Sequence, residues 1–286
     1  MNIYDEKIQK SVLRYNGNKY WMLLNYHFDQ YLPRPNHDHP YVEIFFGSGI
    51  VYFKIAHRGI FAFLNDIDDN LINFWKVVKF RHTDLTDALK FTWCAENNQK
   101  WFDQWQTDPV QRAALFYLNN RHTQYITKPS QIEDDFTWWN TKLNGDRIFL
   151  DCRDFEQEMD YTMGLYTQNM SNRPCSCIYY GDPPYYGMEE VYKKYKKNDL
   201  GDHPKPFNHE LYAQKCAEAR DQKHFVLNSY NDCPEVRELY KGWFIKECPY
   251  SPNGVGEGRA TPRVELLISS HAFQTRSGQK TIEACL

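Results

Sequence analysis

The order of apolar and polar residues predicts alternating strands and helices in the early part of the chain. The run Tyr41–Phe46 is short, apolar and rich in β-prone residues, and it stops at a glycine turn, 47–49, before a second apolar stretch, Ile50–Ala56. The order then repeats, because a strand is predicted over Ile60–Leu64 and apolar residues follow it at helical spacing up to Trp75. Two strand–turn–helix units in succession indicate a parallel α/β sheet.

The middle of the chain, from about Lys76 to Asp146, has a different composition and separates two parts of the predicted sheet. It is rich in tryptophan, asparagine, glutamine and threonine, and its clearest element is a predicted helix over Pro109–Arg121. Strand patterns resume afterwards, and they cover Arg147–Phe155, Ile178–Tyr180, His224–Asp232 and Arg263–Ser270. The prediction is one α/β domain formed by residues 1–75 and 147–286, with a mostly helical insertion over 76–146.

Composition is ordinary for a soluble globular protein of 286 residues, since 42% are hydrophobic and 25% are charged. Aromatic residues reach 16%, with 21 tyrosines, which suits surfaces that stack on planar groups but also suits large cores. The formal net charge of −3 means that any contact with a polyanion must come from local basic patches. No apolar stretch reaches the about 18 residues expected of a membrane span, and the first residues carry no secretory apolar run.

The eight cysteines show no regular spacing along the chain. Cys175 and Cys177 form a close pair, but no second pair accompanies them. This pattern favours reduced thiols in a cytosolic protein over a metal site, so no metal is expected.

The glycine turn and the acidic residue that follows the second strand are candidate ligand-binding features. Gly47 and Gly49 let the backbone turn tightly and let a ligand approach it at the carboxyl edge of a sheet, although such a turn also occurs without a ligand. Asp66 lies at the end of the next strand, about 20 residues on, where an acidic group can hold a pair of ribose hydroxyls. The alternative role for Asp66 is to cap the helix that follows it.

The sequence Asp182-Pro183-Pro184-Tyr185 comes directly after a predicted strand and carries the most specific chemistry. Two prolines stiffen the corner, so the carboxylate of Asp182 and the carbonyl of Pro183 can act as two hydrogen-bond acceptors directed at one point. That pair suits a neutral NH2 group, and Tyr185 can offer a flat face to the planar ring that bears it. A nucleobase has both features. The alternative is a proline-rich turn with a surface aspartate.

Four sequence blocks, in order along the chain, resemble the DNA adenine N6-methyltransferase family of the Dam type, the D12 class. The blocks are LRYNGNK at Leu13–Lys19, YVEIFFGSG at Tyr41–Gly49, NDIDDNLINFW at Asn65–Trp75, and DPPY at Asp182–Tyr185. Weaker likenesses are DCRDF near Asp154, VELLISS near the end, and LFYLNN, which is similar to a helix of the family's target-recognition domain. The likeness spans nearly the whole chain.

The resemblance implies a Rossmann-like, S-adenosylmethionine-dependent methyltransferase sheet with an inserted, mostly helical target-recognition domain. The implied catalytic residues are Asp182, Pro183, Pro184 and Tyr185. The implied cofactor-binding residues are Tyr15, Lys19, Glu43, Phe45, Gly47, Gly49, Asp66, Ile67, Asp154, Phe155 and Asp182. The implied DNA-binding residues are Arg112, Arg121, Lys128, Lys193, Lys194, Lys196 and Lys197, although the last four also fit a solvated helix face.

Several departures from the family pattern limit what the resemblance implies. Tyr15 and Asn16 replace tryptophan and alanine, and RHTQYITKPS follows LFYLNN where asparagine-arginine and then phenylalanine-asparagine-glycine are usual. A GATC-like target is therefore in doubt. The implied partner is double-stranded DNA, with a cognate restriction endonuclease left open, and the expected protein is a monomer or weak dimer in the cytoplasm of a bacterial or phage-infected cell. Two alternatives stay open, an RNA methyltransferase and an inactive DNA-binding protein that retains the methyltransferase fold.

Overall fold

The computed structural model describes residues 13, 19–57, 59–93, 107–121, 129–168, 175–188, 206–250 and 263–275. Its helices are α1 (Tyr20–Tyr26), a 3₁₀ helix (Phe28–Tyr31), α2 (Ile50–Ile55), α3 (Asp69–Trp93), α4 (Pro109–Arg121), α5 (Pro129–Leu143), α6 (Phe155–Gln168), α7 (His209–Asp221) and α8 (Pro234–Leu239). Its strands are β1 (Tyr41–Glu43), β2 (Ala62–Asn65), β3 (Ile148–Asp151), β4 (Ile178–Gly181), β5 (Phe225–Asn231), β6 (Phe244–Tyr250) and β7 (Arg263–Ser269).

The chain divides into two compact units. The first unit comprises Met1–Asp29, Pro35–His37 and Phe46–Asp154, and the second comprises Gln30–Arg34, Asp38–Phe45 and Phe155–Leu286.

In the first unit, a parallel strand pair and three long helices share an aromatic core. Strands β2 and β3 pair in parallel, with Ala62 opposite Ile148. Helix α3 packs against both α4 and α5. The ring of Phe53 lies 4.0 Å from that of Trp139 and 5.3 Å from that of Trp75, measured between centroids. Large rings buried at such distances stabilise this unit through apolar burial and edge-to-face contact.

The predicted helix over Pro109–Arg121 is confirmed, and the described part of residues 76–146 is mainly helical. The predicted domain boundary after Trp75 lies inside α3, which runs to Trp93 with one non-helical residue, Arg81 (φ −144°, ψ 36°). Residues 76–146 also belong to the same compact unit as the glycine turn. A separate recognition domain there stays a prediction.

In the second unit, five strands form a mixed sheet in the order β1-β4-β5-β7-β6. Strands β1, β4 and β5 are parallel, as predicted, whereas β7 runs antiparallel to both β5 and β6. The antiparallel pairing of β7 was not predicted from the sequence. Strand β6 was not predicted, because FIKECPY carries charges and a proline, and its half-exposed position at the end of this strand order tolerates them.

Several predicted strand ends were also wrong. Strand β1 stops at Glu43 rather than Phe46, although Ile44 N–H still donates to the Tyr180 carbonyl at 3.1 Å. Strand β3 stops at Asp151, and Phe155, which the apolar pattern had placed in that strand, opens helix α6 instead.

Candidate active site

The glycine turn in the first unit is tied to the end of β2 by main-chain hydrogen bonds. Phe46 N–H donates to the Asn65 carbonyl at 2.7 Å, and Gly49 N–H donates back to the Phe46 carbonyl at 2.8 Å. Gly47 and Gly49 have φ angles of 49° and 70°, in the left-handed region that favours glycine. A Cβ atom at Gly49 would lie 2.4 Å from the Phe53 ring, so this position requires glycine for space as well as conformation.

Asp66 connects the end of β2 to the glycine turn. Its Oδ2 accepts the Gly47 N–H at 2.9 Å, and its Oδ1 accepts the Asp68 N–H at 3.1 Å. The helix cap belongs instead to Asp68, whose Oδ1 accepts from the N–H groups of Asn70 (2.9 Å) and Leu71 (3.2 Å). The capping role considered for Asp66 is therefore wrong, and two main-chain donors orient its carboxylate beside the turn.

The other cofactor residues predicted in this unit differ in exposure. Ile67, next to Asp66, is 53% exposed, which is unusual for an apolar side chain of this size. Lys19 is buried, with only 2% of its surface exposed. Asp154 is half-buried and follows Arg153, whose N–H donates to the Asn65 side chain at 3.0 Å. Tyr15 lies outside the described residues.

In the second unit, Phe45 and Phe155 belong to one cluster of aromatic rings. Phe45 lies 6.4 Å from Phe155, 5.6 Å from Phe207 and 5.3 Å from Tyr212, measured between ring centroids. Glu43 is 2% exposed, and its Oε2 accepts the Tyr41 hydroxyl hydrogen at 2.7 Å. The predicted residues Phe45 and Phe155 are thus brought together, and the buried Glu43 is held by a tyrosine of its own strand.

The corner that begins at Asp182 follows directly from the end of β4. Asp182 is half-buried, and its Oδ1 accepts the Ser229 hydroxyl hydrogen at 3.0 Å. Gly181, immediately before it, has no room for a side chain, because a Cβ atom there would lie 1.8 Å from the Tyr212 hydroxyl. Pro183 is buried and Pro184 is half-buried. Strand β4, helix α7 and strand β5 therefore position this corner together.

Tyr185 is fixed by its neighbours on the far side of the prolines. Its ring stacks on that of Tyr230, with centroids 6.3 Å apart and planes inclined by 24°. Burial, and after it the charge of Asp182, raise the pKa of Tyr185 well above its usual range, so the phenol keeps its proton. One residue further, Asn231 clamps the main chain of Tyr186, accepting its N–H at 3.0 Å and donating to its carbonyl at 3.1 Å.

Ser229, Tyr230 and Asn231, which hold the corner, were not identified from the sequence. All three lie in strand β5, and Ser229 is completely buried. A signal was present, since buried hydroxyl and amide groups in a strand need hydrogen-bond partners. The sequence did not reveal which partners they have.

The residues predicted to contact DNA are only partly described. Arg112 lies in α4, and its Nη1 pairs with Asp69 Oδ2 at 3.1 Å, with 32% and 69% of the two side chains exposed. Arg121 ends α4, and its side chain is outside the described part. The remaining five also lie outside it, namely Lys128, Lys193, Lys194, Lys196 and Lys197.

Two searches of the described residues were negative. No helix there combines the length and apolar character needed to cross a membrane. No group of three or more histidine, cysteine, aspartate or glutamate side chains there is arranged to hold a metal ion.

Comparison with known proteins gives one family. The family model for D12 class N6 adenine-specific DNA methyltransferases matches residues 15–250, and this span includes both the glycine turn and the Asp182 corner. A search of curated proteins finds no significant match.

Proposed function

Since the chain belongs to the D12 class N6 adenine-specific DNA methyltransferase family, we propose that it methylates N6 of adenine at specific sites in duplex DNA. The observation that carries the proposal is the corner at Asp182. Its acidic side chain is oriented by Ser229, and a stacked tyrosine follows two prolines at the end of a parallel strand. Ligands in open α/β sheets bind at such strand ends.

The residues around the glycine turn fit S-adenosylmethionine by their chemistry. A carboxylate held by two main-chain N–H groups suits the ribose hydroxyls, and the exposed Ile67 beside it suits an adenine ring. We assign the ribose to Asp66, the adenine surroundings to Ile67, Asp154 and Phe155, and the methionine end to the turn at Gly47 and Gly49. The remaining cofactor assignments are Tyr15, Lys19, Glu43, Phe45 and Asp182. When bound, S-adenosylmethionine supplies an electrophilic methyl group and leaves as S-adenosylhomocysteine.

The proposed role of the corner is to prepare the adenine amine. In free adenine the N6 lone pair is delocalised into the ring, which makes the nitrogen a poor nucleophile. Asp182 and the Pro183 carbonyl accept the two amine hydrogens, which favours a tetrahedral nitrogen whose lone pair can attack the methyl carbon in line. Bound S-adenosylmethionine would supply its methyl group directly to N6 and would leave as the neutral thioether, and the proton lost from N6 would pass to water. Orientation and the fixed charge of Asp182 supply the catalysis, with no covalent enzyme intermediate.

Adenine must leave the base stack to reach this corner. In a duplex, N6 is paired, and extruding the base costs a few kcal/mol. Stacking on an aromatic ring returns about 1–3 kcal/mol. Tyr185 is the proposed stacking surface, and its contact with Tyr230 keeps its plane fixed. Phosphate contacts by the predicted arginines and lysines would make DNA binding weaken steeply with salt.

The decisive experiment replaces the corner carboxylate. We expect Asp182→Ala to lose methyl transfer to DNA by at least about 100-fold, while its affinity for S-adenosylmethionine changes much less. Asp221→Ala is the matched control, because Asp221 is an exposed aspartate that ends α7. Transfer is measured with labelled methyl donor, followed by nucleoside analysis. Near-normal turnover by Asp182→Ala would exclude the proposed mechanism.

The same assay separates the alternatives. Labelled N6-methyladenine in RNA but not in DNA identifies an RNA methyltransferase. Binding of DNA without transfer identifies an inactive protein that retains the fold. Sequencing of modified adenines in cells that express the chain gives the target and tests the GATC-like site. The methylated sequence also shows which site a restriction partner would have to share. The proposed setting of the protein is the cytoplasm of a bacterial or phage-infected cell.

A further inference from the structure

Two buried hydroxyl groups lie next to the carboxylate of Asp182. Ser229 is completely buried and Tyr180 is 1% exposed. The Ser229 hydroxyl lies 3.0 Å from Asp182 Oδ1 and 2.9 Å from the Tyr180 hydroxyl. Buried hydroxyls are costly unless they are hydrogen-bonded, and here the Ser229 hydroxyl bonds both to the Tyr180 hydroxyl and to Asp182.

Strand geometry explains why the three side chains meet. Tyr180 and Asp182 are two residues apart in and just after β4, so their side chains point to the same side. Tyr180 is opposite Leu227 in the parallel register, and Ser229 comes two residues later on that same side of β5. The contact therefore follows from the pairing of β4 with β5.

The direction of the hydrogen bonds follows from counting hydrogens. An ionised carboxylate can only accept, so the single hydroxyl hydrogen of Ser229 is donated to Asp182. Ser229 then has no hydrogen left for Tyr180, so the Tyr180 hydroxyl must donate to Ser229. Burial, and after it the charge of Asp182, raise the pKa of Tyr180 well above its usual range, so that phenol keeps the hydrogen it donates.

Building on the proposed function, we propose that Ser229 is a positioning residue for methyl transfer, directed in turn by Tyr180. A carboxylate held at Oδ1 cannot rotate freely about its Cβ–Cγ bond. The orientation of the carboxylate that would meet the adenine amine is therefore set before the base arrives. Each donated bond also polarises the next one in the series.

The test compares kcat with KM in variants of the full chain. Ser229→Ala removes a hydrogen bond to a charged group, so we expect kcat to fall about 10- to 100-fold. The KM for DNA and the Kd for S-adenosylmethionine should change by less than about 3-fold, because Ser229 is completely buried and is assigned no contact with either. Ser229→Thr keeps the hydroxyl and should recover at least about half of the loss on a logarithmic scale.

A pair of tyrosine variants provides the matched control. Tyr180→Phe should lower kcat by about 3- to 10-fold, because Ser229 then loses its own donor. Tyr179→Phe makes the same change one residue earlier on β4, where the hydroxyl bonds to Thr162 rather than to Ser229, and should leave kcat unchanged. This pair stays informative even if the Ser229 variants fail to fold.

The outcomes distinguish this inference from the function on which it rests. If the wild-type chain transfers methyl groups but Ser229→Ala keeps its kcat within about 2-fold, the positioning role is wrong and the function stands. Equal kcat values for Tyr180→Phe and Tyr179→Phe, or a Ser229→Thr variant as slow as Ser229→Ala, would also overturn it. If the wild-type chain transfers no methyl group to any nucleic acid, the proposed function itself fails.

Discussion

The glycine turn and the Asp182 corner both follow a parallel strand, and each has an aspartate beside or within it, Asp66 at the turn and Asp182 at the corner. Different kinds of contact orient these two carboxylates. Asp66 is oriented by main-chain N–H groups, those of Gly47 and Asp68, the first of them 19 residues away. Asp182 is oriented by the side chain of Ser229, 47 residues away. The turn is therefore built largely from its own part of the chain, whereas the corner depends on α7 and β5. Substitutions distant in sequence should affect the corner more than the turn.

The largest expected loss of stability is at Gly181, where the backbone before the corner packs closely against α7. In Gly181→Ala the new Cβ would lie 1.8 Å from the Tyr212 hydroxyl and 2.4 Å from Asn228 Oδ1, so we expect unfolding free energy to fall by at least about 3 kcal/mol. Adding Tyr212→Phe should restore part of it by removing the nearer atom. Gly164→Ala, a helical glycine with nothing within 4 Å of its Cβ position, should instead stabilise by about 0.5–1 kcal/mol.

Urea unfolding of the variants measures these differences. A Gly181→Ala protein as stable as the wild type would show that β4 can move away from α7 at little cost. The corner would then be no more dependent on distant elements than the turn.

A second effect concerns the histidine that anchors the start of β4. His224 Nδ1 accepts the Cys177 N–H at 2.9 Å, and burial lowers the pKa of His224 from 6.5 to about 4. Because the folded pKa is the lower one, the unfolded chain takes up the proton first. The contribution of neutral His224 to the free energy of unfolding is therefore complete above the unfolded pKa of 6.5. This contribution, up to about 3 kcal/mol, is lost as pH falls toward 4.

The free energy of unfolding, measured between pH 6.5 and about pH 4, tests this contribution of His224. His224→Gln keeps an acceptor without the titration, so its stability should fall less steeply with acid. His271→Gln is the matched control, because burial and then Lys223 lower the pKa of His271 as well, but His271 is only half-buried, so this variant should flatten the profile less. Identical profiles for the wild type and His224→Gln would contradict the prediction.

The smallest expected effect is on affinity for S-adenosylmethionine, and it distinguishes the role of Asp66 from that of Asp182. Asp66→Asn removes a charge and an acceptor, so affinity for S-adenosylmethionine should weaken about 10-fold, or about 1.4 kcal/mol. Asp182→Asn keeps an oxygen that can accept from Ser229, so the same affinity should change by less than about 3-fold while kcat falls. Calorimetric titration with S-adenosylmethionine checks the first quantity and the methyl-transfer assay the second. Equal losses of affinity would mean that the two carboxylates have no separate roles.

The sequence by itself determined the local parts of this protein. The alternation of apolar runs and turns predicted β2, β4, β5 and β7. It also predicted a turn at Gly47 and Gly49, the two positions whose positive φ angles favour glycine. These features depend on neighbouring residues, whose conformational limits are visible in the order of the chain. The family was also evident from short blocks, and the family model confirms it.

Tertiary structure alone decided which distant groups support the corner and which way the last strands run. Nothing local in FIKECPY or RVELLIS marks an antiparallel pair, because strand direction is set by packing and by connections along the chain. Likewise, the Ser229 and Asn231 side chains could bond any nearby polar group, and only the parallel register of β4 with β5 brings them to Asp182 and Tyr186. Hydrogen bonds between residues far apart in sequence depend on that register, which the order of residues does not display.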